Sequence, residues 1–175
     1  MRKNALVFGT IGGVIVTAMM LWSVWMCYRN ENFEGNMVLG FAIMILAFSM
    51  IFVAVKNYRD KYLGGSITFG KAFLLGLYVT LAASTIYVVV WLVDYYVFVP
   101  DFMDKYTANV LRQFKAAGHT PEEVNKKIAE MANYKEMYKS PLMVVLITYS
   151  EILPVGLIIT LLSSLILKRK KTVAG

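Results

Sequence analysis

Asp94 and Glu151 are the two carboxylates that stand inside apolar sequence, and they are where this chain could do chemistry. An ionised carboxylate in hydrocarbon costs several kcal/mol, so each is expected to be neutral, paired or hydrated; such residues mark sites for a proton, a cation or another ligand. The alternative use is structural, an interhelical hydrogen bond to Tyr, Thr or Ser, or an interfacial acid that snorkels. At about 100° per residue, Asp94 shares a helix face with Tyr87, Ala83, Thr80 and Gly76. Glu151 is followed by Pro154, whose missing amide frees the Ser150 carbonyl and can kink a helix. Counted from opposite chain directions, both acids reach the same half of a membrane, and no base lies at matching depth. The expectation is one intramembrane polar cluster of Asp94, Glu151, Tyr87, Thr80 and Thr148.

Nothing else has catalytic spacing. The single histidine, His119, falls in a turn without neighbours to ligate metal, and the single cysteine, Cys27, excludes an internal disulfide or a cysteine metal cage. No glycine-rich phosphate loop, HExxH, CxxC or GxSxG occurs. The chain is expected not to be an enzyme and to carry no cofactor and no metal. Gly64, Gly65 and Ser66 form a turn before the third long helix, with Ser66 or Thr68 as its cap; a phosphate cradle there is the alternative.

The elements that must position the acids are four apolar segments, Asn4 to Cys27, Met37 to Val55, Phe69 to Val99 and Leu142 to Leu167. Roughly 20 apolar residues at a helical rise cross a ~30 Å hydrocarbon core, and in lipid only helices or closed barrels satisfy their own backbone. Alternation of period two is absent, so helices are predicted. Hydrophobic residues make up 58% of the chain and charged residues 17%, an apolar excess that a soluble domain of this length would not need. The fold class is therefore an all-α membrane protein, one domain over residues 1–175, with four transmembrane helices.

The net charge of +7 could point to nucleic acid until it is divided by region. Arg2, Lys3, Lys56, Arg59, Lys61, Lys71, Lys168, Arg169, Lys170 and Lys171 oppose only Asp60, while the first loop (Arg29, Glu31, Glu34) and the long loop from Pro100 to Pro141 are close to neutral. Both termini and the stretch from Lys56 to Lys71 are thus predicted cytoplasmic, the other loops outside, with no nucleic-acid partner. The KRKK tail can also attract anionic lipid. Arg2 and Lys3 before an apolar run resemble a signal peptide, but the run is too long and lacks a small-x-small site before Trp22, so an anchor is expected. Trp22, Trp25 and Trp91, with Tyr95 and Tyr96, are assigned to the outer interface.

The long outer loop, residues 100–141, carries helical patterning. Met103, Tyr106, Val110 and Phe114 form one stripe, Gly118 a terminal cap, Thr120 to Glu123 a capping box, and Val124, Ile128, Met131 and Tyr138 a second stripe. An extracytoplasmic amphipathic helical hairpin follows, packed on itself and on the bilayer, with a partner groove as the other use. Rows of small residues, Gly9, Gly13 and Thr17, then Ala72, Gly76, Thr80 and Ser84, then Gly156, Thr160 and Ser164, allow close helix approach within the chain or between protomers.

Several motifs occur in order: Tyr58, Arg59, Asp60 and Lys61; the run from Gly64 and Gly65 through Ser66, Ile67, Thr68, Phe69, Gly70, Lys71 and Ala72 to Phe73; Val99, Pro100, Asp101 and Phe102; and Glu151 to Leu157. Over nearly the whole chain this pattern resembles an uncharacterised family of small bacterial membrane proteins, domain of unknown function forty-one ninety-nine. The resemblance implies a four-helix protein of the bacterial inner membrane and brings no activity, substrate or catalytic residue. Two function classes stand: a non-enzymatic scaffold or accessory subunit meeting a membrane-protein partner or a second copy, and a small transporter or binder of protons, cations or lipid that uses the two acids.

Overall fold

A computed structural model describes residues 1–31, 33 and 37–169 of the chain. Lys170 and Lys171 of the basic tail and Glu34 of the first loop lie outside the described residues. Seven α-helices run in the order α1 (Arg2–Asn30), α2 (Met37–Phe48), α3 (Met50–Tyr62), α4 (Phe69–Val93), α5 (Phe102–Ala116), α6 (Pro121–Met137) and α7 (Pro141–Leu167), and no strand is present among the described residues. Four helical stretches are long and apolar enough to cross a membrane: Arg2–Asn30, Val38–Tyr62, Phe69–Phe98 and Pro141–Leu167.

α4 is the hub, flanked by α1 and α7. Gly9 and Gly13 admit it to α1: a Cβ on Gly9 would lie 2.6 Å from Ala82 Cβ, and one on Gly13 2.9 Å from Ile86 Cδ1. On the α7 side, Gly76 meets Thr160 and Gly156 meets Thr80 and Phe48. Thr80 Oγ1 donates to the Gly156 carbonyl at 3.3 Å and lies 3.0 Å from Thr160 Oγ1. Ser164 donates to the Thr160 carbonyl at 2.7 Å, while Ser84 and Thr17 are buried with hydroxyls that meet no partner. All three small-residue rows thus face helices of the same chain.

The second span is two helices because the ladder breaks at Ser49, whose hydroxyl takes the Leu46 carbonyl at 2.6 Å. Its helix also runs on to Tyr62, seven residues past the apolar segment's end at Val55. Lys56, Arg59, Asp60 and Lys61 therefore sit on helix, not loop; a polar helix end protruding from an apolar span keeps its backbone bonds, so nothing forces it to stop where hydropathy does. The third span changes pitch at its end: Asp94–Phe98 forms a π turn in which the Val99 amide donates to the Asp94 carbonyl at 2.9 Å. α7 continues through Pro154 without a break.

α5 and α6 pack on each other and over the ends of the spans. Gly118 takes φ +80° between them, and Thr120 and Glu123 form the reciprocal capping box. Lys135 and Asp104 pair between the two helices. Aromatic packing ties the pair down: Phe102 stands edge-on to Trp91 at 5.3 Å and to Phe33 at 5.9 Å, and Tyr138 edge-on to Tyr95 at 5.4 Å. Trp91 is consequently 8% exposed and is a packing residue, whereas Trp22 and Trp25 are about half exposed, at 49% and 52%.

Candidate functional site

Beneath α5 and α6 lies an open chamber of about 850 Å³ between the spans. Glu151 and Thr148 of α7, Tyr87 and Trp91 of α4, Met131 of α6 and the following Tyr138 contribute to its wall. Glu151 reaches it because α7 presents every third to fourth residue on one side, so Thr148 and Glu151 share that side. Thr148 spends its proton on the Val144 carbonyl at 2.7 Å. Among the described residues no donor or cation engages Glu151. Tyr138 is pushed above the ordinary phenol range by burial first and by the Glu151 carboxylate second. Lys127 and Glu130, also at the wall, pair with each other at 3.0 Å.

The five residues expected to cluster are distributed over three places. Glu151, Tyr87 and Thr148 line the chamber. Thr80 is two turns deeper, fully enclosed in the α4–α7 contact. Asp94 does not line the chamber; it is buried at the start of the π turn and its Oδ2 meets no partner. Helix register explains the separation. The antiparallel pairings of Thr80 with Gly156 and Thr160, and of Thr85 with Tyr149 at 2.8 Å, set Glu151 level with Tyr87. Asp94 lies seven residues farther along α4, roughly 10 Å at a helical rise.

Residue types alone did not reveal Tyr138 and Met131 as wall residues, because the fold-back of α6 brings them there; the stripe Val124, Ile128, Met131 and Tyr138 was the available signal. Among the described residues no three His, Cys, Asp or Glu side chains are grouped as metal ligands would be.

No curated protein and no solved structure matches the chain. A family does, over residues 7–169, and its description is "Protein of unknown function (DUF4199)". All four apolar spans fall within or across that match, so the ordered motifs and the helical frame agree, and the chain belongs to the DUF4199 family of unknown function.

Proposed function

We propose that this chain is a non-enzymatic multi-pass protein of the bacterial inner membrane that binds a small lipophilic cation in the Glu151 chamber. One observation carries the reading: a carboxylate without donor or base faces a space walled by aromatic rings and methionines. Two acids and one base line the wall, and Lys127 with Glu130 cancel, so a positive guest would balance Glu151. The volume falls within the roughly 300–1,000 Å³ typical of small-ligand sites. The faces of Tyr87, Trp91 and Tyr138 attract an organic cation, whereas one carboxylate offers too few oxygens for Ca²⁺ or Mg²⁺. The charge division supports cytoplasmic termini, with α5 and α6 as the extracytoplasmic hairpin.

The test is equilibrium binding of tetraphenylphosphonium to the full chain in neutral detergent. Glu151→Gln should weaken it about tenfold or more, since the counter-charge is lost; Asp94→Asn should leave it unchanged. Equal binding by wild type and Glu151→Gln would remove this reading.

A second reading, the scaffold or accessory subunit, is favoured by the exposed charged face of α6 and the residues just after it, where Glu122 pairs with Lys126 and Glu136 with Lys139. The contact would be with a membrane-protein partner or a second copy. Pull-down of the tagged protein from native membranes discriminates: a partner retained by Glu151→Gln and released by charge reversal at Lys126 and Lys139 supports the subunit.

A further inference from the structure

The opposite end of the bundle, which carries the start of α1 and the end of α7, holds a second recess of about 730 Å³. Its wall comes from the α3–α4 turn and from the exit of α7: Tyr62, Gly64, Ser66, Thr68, Lys71 and Arg169 are the residues that give it chemistry. No acid contributes to that wall. Arg169 is not a loose tail residue, because its amide donates to the Ile67 carbonyl at 2.9 Å and its carbonyl accepts from the Ile67 amide at 3.0 Å. Thr68 caps α4 by accepting the Lys71 amide at 3.4 Å, which leaves the Thr68 hydroxyl proton available to donate. Gly64 and Gly65 take φ +60° and +83° with nothing within 4 Å of a Cβ position, so the turn leaves the space in front of it open.

No carboxylate forms a direct ion pair with the cations of the recess among the described residues. Asp60 is within electrostatic reach of Arg169, but both its oxygens are held by Arg59, at 2.7 and 3.2 Å. Among the described residues neither Lys71 nor Arg169 forms a side-chain ion pair. Two cations, one pinned by backbone bonds and one on the first turn of a helix, thus line the same recess as a donor hydroxyl. That combination matches a phosphate group: a compact anion that takes point charge from Lys, a planar fork from Arg and a hydrogen bond from a hydroxyl.

We propose that this recess binds a phosphate group, carried by an anionic lipid headgroup or by a free phosphate compound, with Lys71, Arg169 and Thr68 as its ligands. The site is independent of the Glu151 chamber, at the other end of the spans, and either can fail alone.

Thermal unfolding of the full chain in neutral detergent, at constant ionic strength, tests it with three probes: dioctanoyl phosphatidylglycerol, dioctanoyl phosphatidylcholine and inorganic phosphate. Phosphatidylglycerol should raise the midpoint and phosphatidylcholine should not. Lys71→Gln and Arg169→Gln should each weaken the apparent affinity about fivefold or more, while the double variant Arg2→Gln and Lys3→Gln, which removes two charges from the same end, should leave it unchanged. Inorganic phosphate as effective as the lipid would identify a free phosphate compound as the source; a stronger lipid effect would identify the headgroup. A second measurement needs no variant: phosphatidylglycerol or phosphate should protect Lys71 from acetylation more than Lys3. No stabilisation with no protection, or equal loss in the Arg2 and Lys3 control, would overturn the site.

Discussion

Tyr28 and Asp101, 73 positions apart in sequence, meet in a 2.6 Å hydrogen bond that ties the far end of α1 to the start of α5. Lys105 completes the contact, its ammonium 2.8 Å from the other Asp101 oxygen and 4.2 Å from the Tyr28 ring centre. The hydrogen bond from Lys105, then that from Tyr28, hold the Asp101 carboxyl below the usual carboxylate range.

A depressed folded pKa fixes the sign of the pH effect: the contact stabilises above the ordinary carboxylate value and is lost as pH falls through the folded one. Unfolding of the wild type in detergent should therefore lose stability on acidification below pH about 4, and Asp101→Asn should flatten that limb. Tyr28→Phe should cost about 1 kcal/mol near neutral pH, a charged hydrogen bond discounted for its half-exposed partner. An unchanged acid limb in Asp101→Asn would show that the contact does not form.

Gly156→Ala and Gly76→Ala should each destabilise the bundle by about 1–3 kcal/mol through overpacking of the α4–α7 contact, since each Cβ would collide with Thr80 or Thr160. Gly70→Ala, with open space around it, should stay within about 0.5 kcal/mol of wild type. Urea or thermal midpoints of the three purified variants give the comparison; equal midpoints would mean the helices do not approach so closely.

Met131→Asp should loosen α6 from α5, because an unpaired charge at a 5% exposed position costs several kcal/mol. Ile128→Asp, at 40% exposure, should be tolerated. Limited proteolysis reads the difference at the Ala117–Thr120 turn, and equal resistance of the two variants would contradict the packing.

Orientation follows from charge and is checked by chemistry. In a Cys27→Ser background, a cysteine at His119 should react with a membrane-impermeant maleimide in intact cells, and one at Asn57 should not. The reverse pattern would invert the topology.

Local signals were legible in the sequence. The Thr120 to Glu123 capping box and the Gly118 turn depend on residues a few positions apart, and both formed as the spacing required. The length of the third helix on from Lys56 was not legible, because hydropathy reports where lipid contact ends, not where hydrogen bonding ends. Nor was the separation of Asp94 from Glu151: facing and rough depth can be counted along one helix, but the register between α4 and α7 is set by how Gly76, Thr80, Gly156 and Thr160 interlock. The burial of Trp91 was not legible for a like reason, since the fold-back of Phe102 helps to cover it.

The π turn at Asp94–Phe98 acts as a phase adjuster for everything downstream. Its wider ring holds one residue more than an α turn, so the same residues wound at ordinary α pitch would swing the following chain by about 100°. Tyr28 would then face a backbone without Asp101, Phe102 would leave Trp91, and the roof of the chamber would open while every membrane span stayed intact. Deleting one residue of the turn would instead relax it to α pitch and keep that facing, so the pitch of one turn, not the chemistry of the roof, determines whether the chamber is covered.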